Sequence, residues 1–177
     1  MSKVIFTVGH STKPIDVFVQ MLQSFDVNAV VDIRTVPRSR TNPQYNLDVL
    51  PELLAQSDIL HYQIAALGGL RKKSKNVQDE VNAFWDNRSF HNYADYALSD
   101  EFEEGLRQLL ELSDTARCAI MCSEAVWWRC HRRIVADYLL IRGVEVLHIM
   151  GIGKSTRAAL NPSAEASGIK LSYSRSK

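Results

Sequence analysis

The sequence predicts a single α/β domain built on a mostly parallel sheet of about five strands, with helices on both faces. Two observations carry that reading. Short apolar runs rich in Val, Ile and Leu alternate with segments whose apolar residues recur at helical spacing, the pattern of β-α-β units. Polar residues and glycines then stand directly after these runs, where a parallel sheet gathers its loops on one edge. Strand order stays open at this level.

Val4 to Val8 is the first strand, and it stops at Gly9-His10-Ser11-Thr12. Pro14 suits the start of a helix, and Val17, Phe18, Met21, Leu22 and Phe25 give that helix an apolar face. Val27 to Ile33 is apolar and β-branched enough for a strand covered on both faces, and it runs into Asp32 and Arg34. A polar loop follows from Thr35 to Asn46, then a helix from Leu47 to Ser57 with Pro51 near its start. Leu60 to Ile64 is the third strand, ending at Leu67-Gly-Gly-Leu-Arg71. Residues 71 to 90 are polar and read as a mobile excursion pinned by Trp85 and Phe90. Helices are expected at His91 to Leu98 and Asp100 to Leu112, a fourth strand at Cys118 to Cys122, and a helix at Ile134 to Ile141 closed by Gly143. Val144 to Met150 is the fifth strand. The domain is therefore drawn over residues 1–150, with 151–177 as a loosely packed C-terminal extension.

A chain of 177 residues is long enough to bury a core, and 46% hydrophobic with 23% charged residues is an ordinary globular composition. Net charge is only +1, which excludes a globally basic nucleic-acid binder while allowing local basic clusters. No apolar run spans a bilayer and the N-terminus shows no signal-peptide pattern, so no membrane partner and a cytoplasmic location are expected. Three cysteines without scaffold spacing read as free thiols.

The chemistry concentrates in Cys122-Ser-Glu-Ala-Val-Trp-Trp-Arg-Cys-His-Arg-Arg133. Two thiols, a carboxylate, an imidazole and three guanidinium groups crowd one strand-to-helix junction. Cys130 and His131 open a helix, where unpaired N–H groups and the helix dipole lower a thiol's pKa and attract anions. The plainer alternative is that Cys122 and Cys130 are small buried hydrophobes. Glu124 is a candidate base, nucleophile or arginine partner. Trp128 is a candidate stacking surface, and Trp127 and Trp128 could equally cap the core. Arg34, Arg38 and Arg40 flank Pro37, with Tyr45 close behind, in a loop suited to phosphate or carboxylate. Asp32 ends an apolar strand and needs a buried partner, for which Arg34 and His10 are the candidates.

Other signatures fail. Cys122 to Arg129 is longer than the tight anion loop of cysteine phosphatases and sulfurtransferases. Gly151-Ile-Gly-Lys-Ser-Thr156 resembles the end of a P-loop, but His148 stands at the first required glycine. Cys122, Cys130 and His131 match no common zinc spacing, so no metal ligand is assigned and no cofactor is named.

Taken as an ordered set, Thr7-Val-Gly-His-Ser-Thr12, Val31-Asp-Ile-Arg34, Pro37-Arg-Ser-Arg40, Asn42-Pro-Gln-Tyr-Asn46, Leu67-Gly-Gly-Leu-Arg71, Tyr93-Ala-Asp-Tyr96, Met121-Cys-Ser-Glu124 and Cys130-His-Arg-Arg133 resemble the pattern of domain-of-unknown-function family 488. The resemblance spans about residues 4 to 150 and leaves out the Trp127-Trp128 pair. It implies a small α/β protein of prokaryotic type and supplies no reaction.

The functional expectation is an enzyme acting on a phosphate-bearing substrate related to a nucleotide or nucleic acid. Cys122 or Cys130 is its thiol. Glu124 with His10 or His131 moves protons, and Asp32 counts among the catalytic residues. Ser11, Arg34, Arg38, Arg40, Tyr45, Arg71, Arg132 and Trp128 hold the substrate. Two alternatives stand beside it: a non-catalytic module binding nucleic acid or a nucleotide, and a redox sensor working through Cys122 and Cys130. The decisive expectation is geometric. His10, Asp32, Arg34, Arg71, Glu124, Cys130 and His131 should meet in one pocket, with both carboxylates buried and paired.

Overall fold

A computed structural model describes residues 3–175, so the first two residues of the domain and the last two of the extension lie outside the described residues. Strands β1 (Val4–Gly9), β2 (Ala29–Asp32), β3 (Leu60–Gln63), β4 (Cys118–Cys122), β5 (Glu145–Gly151) and β6 (Lys154–Arg157) form one sheet in the order β3-β2-β4-β1-β5-β6. The first five are mutually parallel, and β6 runs antiparallel to β5. Five helices connect them: α1 (Ile15–Gln23), α2 (Leu50–Ala55), α3 (Arg88–Tyr96), α4 (Asp100–Leu112) and α5 (Arg132–Leu140).

Alternation along the strands builds two cores, because successive side chains point to opposite faces. Phe6, Val8, Val30, Ala119 and Met121 pack with Phe18 and Leu22 of α1 and Leu50 and Leu54 of α2. Ile5, Val31, Ile120 and Val146 pack on the other face with Tyr93, Phe102, Leu106, Ile134 and Val135 from α3, α4 and α5. Helices therefore cover both faces. Pro51 falls in the first turn of α2, where its missing N–H is harmless. The helix α3 begins at Arg88, earlier than its apolar pattern suggests, because the Asn87 side chain accepts from Ser89 and Phe90 N–H and caps it.

This topology positions the site. The chain leaves β1 toward α1 on one face and leaves β4 toward α5 on the other. The two strands are neighbours, so their departing loops diverge and open a crevice between them. Backbone pairing continues past the strand ends, with His10 N–H donating to Cys122 O and Ser11 N–H to Ser123 O at 2.9 Å each.

The C-terminal extension departs from expectation. Residues 152–157 are exposed, as a loosely packed segment would be. Beyond them, β7 (Glu165–Ser167) and β8 (Lys170–Ser172) form a hairpin, and Leu171 and Tyr173 are buried in the core beside α5. Their anchor is polar: Asp137 accepts from Tyr173 Oη at 2.8 Å and from Asn161 N–H at 3.1 Å. Burial pushes the Asp137 carboxyl up to about 6, against the lowering effect of those hydrogen bonds. A carboxyl raised on folding stabilises fully below its unfolded pKa, and that contribution is lost as pH rises through its folded value. Asp137→Asn keeps the shape and removes the buried charge. It should stabilise the protein at pH 7 by on the order of 2 kcal/mol, with the difference vanishing near pH 4, as read by urea unfolding. A pH-independent difference would contradict the argument.

Candidate active site

A cleft of about 1040 Å³ opens at the carboxyl edge over β1, β2 and β4. Cys122, Cys130 and His131 line it together with His10, Ser11 and Arg34. Glu124, Arg38 and Trp128 complete the expected residues that reach it. They come from loops far apart in sequence, which is the convergence the parallel sheet requires.

Cys130 and His131 are the centre. The His131 Nε2 lies 3.1 Å from the Ile33 carbonyl, which can only accept, so Nε2 carries the hydrogen. Its Nδ1 therefore faces the Cys130 Sγ, at 3.5 Å. The Arg132 backbone N–H donates to the same sulfur at 3.4 Å, at the start of α5. Cys122, at the end of β4, points its Sγ at the Glu124 carbonyl at 3.8 Å. Burial pushes the Cys130 thiol up, but the nearby Cys122 thiol, the neighbouring His131 and the Arg132 charge outweigh it and hold it well below the ordinary thiol range. Cys122 moves the other way, raised by burial and by the negative charge beside it. Gly69 closes behind the imidazole: a Cβ there would lie 2.4 Å from His131 Nδ1. Tyr93 meets the ring edge-on at 4.9 Å.

Asp32 and Arg34 form the second wall. Arg34 Nε donates to Asp32 Oδ1 at 2.9 Å and Nη2 to Oδ2 at 2.6 Å, a two-pronged pair that is almost fully buried. Asp32 thus finds the partner that the sequence demanded. Arg34 Nη1 lies 3.4 Å from His10 Nε2, and His10 Nδ1 lies 2.9 Å from the Ser11 carbonyl. The carbonyl takes the ring hydrogen, so Nε2 presents its lone pair to the guanidinium. Burial lowers His10 to about 4, which agrees with a neutral ring. His10 is thus a fixed acceptor.

Several expectations change. Glu124 lines the cleft but is exposed, and its carboxylate makes no ion pair among the described residues. It stands after the strand end, where water rather than an arginine satisfies it. Arg132 is fully buried and holds no substrate. Its Nη2 donates to the Glu124 carbonyl at 2.7 Å and its Nη1 to Thr7 Oγ1 at 3.2 Å, so it struts the loop from beneath. The Thr7 hydroxyl then gives its own hydrogen to His148 Nδ1 at 2.6 Å. Tyr45 is also buried. It stacks on His10 at 4.2 Å and donates to the Lys13 carbonyl, supporting the imidazole from behind. Arg71 turns away, stacking 3.7 Å over Tyr96 and donating to the Gly68 and Ala65 carbonyls. Arg40 is exposed and lies outside the cleft lining. Asp32 sits beneath the cleft, covered by Arg34.

The tryptophan pair is divided. Trp127 stacks on His148 at 4.6 Å and caps the core, while Trp128 is 45% exposed at the cleft mouth. Arg129 also reaches the cleft and was not singled out from sequence. Helical spacing was the available signal, since Arg132 shares the stripe of Val135, Ala136 and Leu139 while Arg129 precedes the helix. Asn87, Ser89 and Phe90 add a wall from the excursion after residue 71, which is held by Arg133 lying 4.8 Å over Trp85.

Among the described residues no group of three or more His, Cys, Asp or Glu side chains could hold a metal ion. No described helix is long and apolar enough to cross a membrane. No curated protein and no solved structure matches the chain. His10 and Ser11 precede the stretch recognised by a family model, whereas Asp32, Arg34, Cys122, Cys130 and His131 lie within it. That model, described as Domain of unknown function DUF488, matches residues 14–139 of the 177, and the chain belongs to this family.

Proposed function

We propose that the cleft is the active site of an enzyme using Cys130 as a nucleophile on a phosphate-bearing substrate of nucleotide or nucleic-acid type. The observation that supports it is the environment of the Cys130 sulfur, with His131 Nδ1 and the Arg132 N–H directed at it. A buried cysteine that only packs has no need of a fixed imidazole tautomer and a main-chain donor. In the reaction, the Cys130 proton passes to His131 and the sulfur attacks the electrophilic centre, forming a covalent bond as the leaving group departs. His131 returns its proton to that group. Glu124, exposed in the same cleft, then takes a proton from water or a second acceptor that displaces the sulfur, and that proton returns to Cys130 as the product leaves. Arg38 and Arg129 face the phosphate, and Trp128 offers a stacking surface for a base.

Alkylation tests the nucleophile without a known substrate. Iodoacetamide at neutral pH should label Cys130 at least tenfold faster than free cysteine, with Cys118 and Cys122 slow, as read by peptide mass mapping. The rate should persist on acidification well below the ordinary thiol pKa. His131→Ala should slow it at least tenfold and move the pH profile upward. Slow labelling of Cys130 in the native protein would end the proposal. Protection by a nucleoside 5′-monophosphate or a short single-stranded oligonucleotide, absent with the unphosphorylated nucleoside, tests the substrate class. If the oligonucleotide binds with steep salt dependence while Cys130 stays inert, the protein is a binding module instead.

A further inference from the structure

We infer that the cleft takes its phosphate-bearing substrate as a single strand of nucleic acid, whose continuation lies in a second, basic cleft lined by Lys72, Lys73 and Lys75. The inference rests on the reading of the first cleft as a nucleotide-type site and adds the form of its substrate.

The segment after β3 carries it. Gly69 and Leu70 line the cleft that holds Cys130, and the residues that follow, Arg71 to Val77, line a second cleft of about 590 Å³. Leu70 and Lys72 are two residues apart, so the chain steps from one cleft into the other within about 7 Å. Residues 70–74 belong to no helix or strand, and Lys72, Lys73 and Lys75 are exposed. The acids nearby do not cancel them. Asp95 is buried, with its oxygens turned to Asn82 at 2.7 Å and His91 at 3.7 Å. Arg71 is matched by Glu101 at 3.7 Å and Lys73 by Asp79 at 3.9 Å. That still leaves Lys72 and Lys75, which make no ion pair among the described residues, facing the one exposed carboxylate of the lining, Asp100. The second cleft is therefore locally basic in a chain whose net charge is only +1.

The rim of the first cleft selects among polyanions. Leu70 is 70% exposed and Val36 60%, and both line that cleft together with Trp128. One exposed apolar residue needs no explanation, but three from separate loops around one polar cleft form a patch. Such a patch suits the flat faces of unstacked bases, while Arg38 and Arg129 beside it suit phosphates. In a duplex the base faces are closed against each other, so the rim would have nothing to cover. An acidic peptide would match the lysines and leave the rim unused. A mononucleotide would occupy the first cleft and leave the lysines unused. A single strand supplies bases to the rim and successive phosphates to the basic segment, the combination by which strands are held without duplex pairing.

The test uses the full chain and fluorescein-labelled oligothymidylate and oligouridylate of about ten nucleotides, read by anisotropy against salt. The matching nucleoside 5′-monophosphates are compared through protection of Cys130 from iodoacetamide. At least one oligonucleotide should bind tenfold or more tighter than its monophosphate, and the two arms separate DNA from RNA. Replacing Lys72, Lys73 and Lys75 together by alanine should weaken that oligonucleotide at least tenfold at low salt. It should also lower the salt slope by about 2, since each phosphate contact on a single strand contributes about 0.7. Protection of Cys130 by the monophosphate should not follow, because these lysines lie outside the first cleft. Trp128→Ala should weaken the oligonucleotide about tenfold through lost stacking. Arg157→Ala, exposed on β6 and lining neither cleft, should bind as the wild type. Unchanged oligonucleotide binding in the lysine variant would overturn the inference and leave the active-site reading standing. Equal binding of a duplex of the same length, or equal competition by polyglutamate, would do the same. Binding that depends on the lysines while Cys130 alkylates slowly would keep the strand and end the nucleophile. No binding of either oligonucleotide would overturn the inference alone where Cys130 alkylates fast, and both readings where it is slow.

Discussion

Replacing Asp32 by alanine is expected to destabilise the protein by about 3–5 kcal/mol, the range for removing one partner of a buried ion pair. Asp32 is inaccessible to solvent and Arg34 is 5% exposed, so water cannot replace the lost carboxylate. Three donors of Arg34, its backbone N–H, Nε and Nη2, end on the two Asp32 oxygens. Nη2 keeps the Tyr45 carbonyl at 2.7 Å, and the rest are orphaned beside His10 and the cleft. Asn at position 32 does not rescue the pair, since its amide places a donor against a guanidinium donor. For a chain of this length, 3–5 kcal/mol corresponds to a melting temperature lower by about 10 °C or more.

Acid should erase that difference, and the sign follows from the pair. Burial raises the Asp32 carboxyl, but the contact with His61 and the hydrogen bonds and charge of Arg34 outweigh it, so the folded carboxyl lies below its ordinary value. A depressed carboxyl stabilises above the unfolded pKa of about 4, and the contribution is lost as pH falls through the folded value. Wild type and Asp32→Ala should therefore converge on acidification in urea unfolding curves. A loss under about 1 kcal/mol at neutral pH would show that Arg34 finds other partners.

Four of the five parallel strands were legible because each is an apolar run that stops abruptly at a glycine or polar residue, whereas β3, Leu60–Gln63, mixes polar and apolar residues. Those stops also marked the cleft, since Gly9-His10, Asp32 to Arg34 and Cys122 to Glu124 are strand ends. What stayed hidden was direction. Arg71, Arg132 and Tyr45 have the chemistry of ligands, and nothing local tells a guanidinium reaching into a cleft from one bracing a loop beneath it. Arg132 was the exception, since it falls on the apolar stripe of its helix. Strand β6 escaped because Lys-Ser-Thr-Arg carries no alternation. All four residues are exposed, and the strand is held to β5 by main-chain bonds and the surface ion pair of Arg157 with Glu145. Leu171 and Tyr173 are isolated apolar residues in a polar tail, and their core role depends on Asp137, a distant acid. The Cys130 environment was half visible: its place at a helix start was in the sequence, but the hydrogen bond from His131 to Ile33 joins residues 98 positions apart.

The largest effect on the site itself is expected from Gly9→Ala, a change that adds one methyl group far in sequence from either cysteine. A Cβ at Gly9 would lie 1.7 Å from the Glu124 carbonyl oxygen, 2.6 Å from its carbon and 3.0 Å from Arg132 Nη2. Backbone cannot rotate aside as a side chain can, so the loop after β4 must move away from β1. That motion breaks the bond by which Arg132 holds the Glu124 carbonyl and disturbs the pairing of His10 and Ser11 with residues 122 and 123. Arg132 is fully buried and its Nε has no partner, so a second loss there falls on a group already short of acceptors. Overpacking costs about 1–3 kcal/mol, and the lost charged hydrogen bond adds to it, for a total of about 3 kcal/mol or more. The signature beyond stability is at Cys130. The displaced loop shifts its sulfur from its place against His131 Nδ1 and the Arg132 N–H, so alkylation should slow at least tenfold even where the protein remains folded by circular dichroism. Gly151→Ala is the matched control, because a Cβ there meets its nearest atom at 3.6 Å, ordinary contact, and should change neither quantity measurably. If Gly9→Ala keeps wild-type stability and wild-type alkylation, the close approach of β1 to the Glu124 carbonyl is not what sets the sulfur in place.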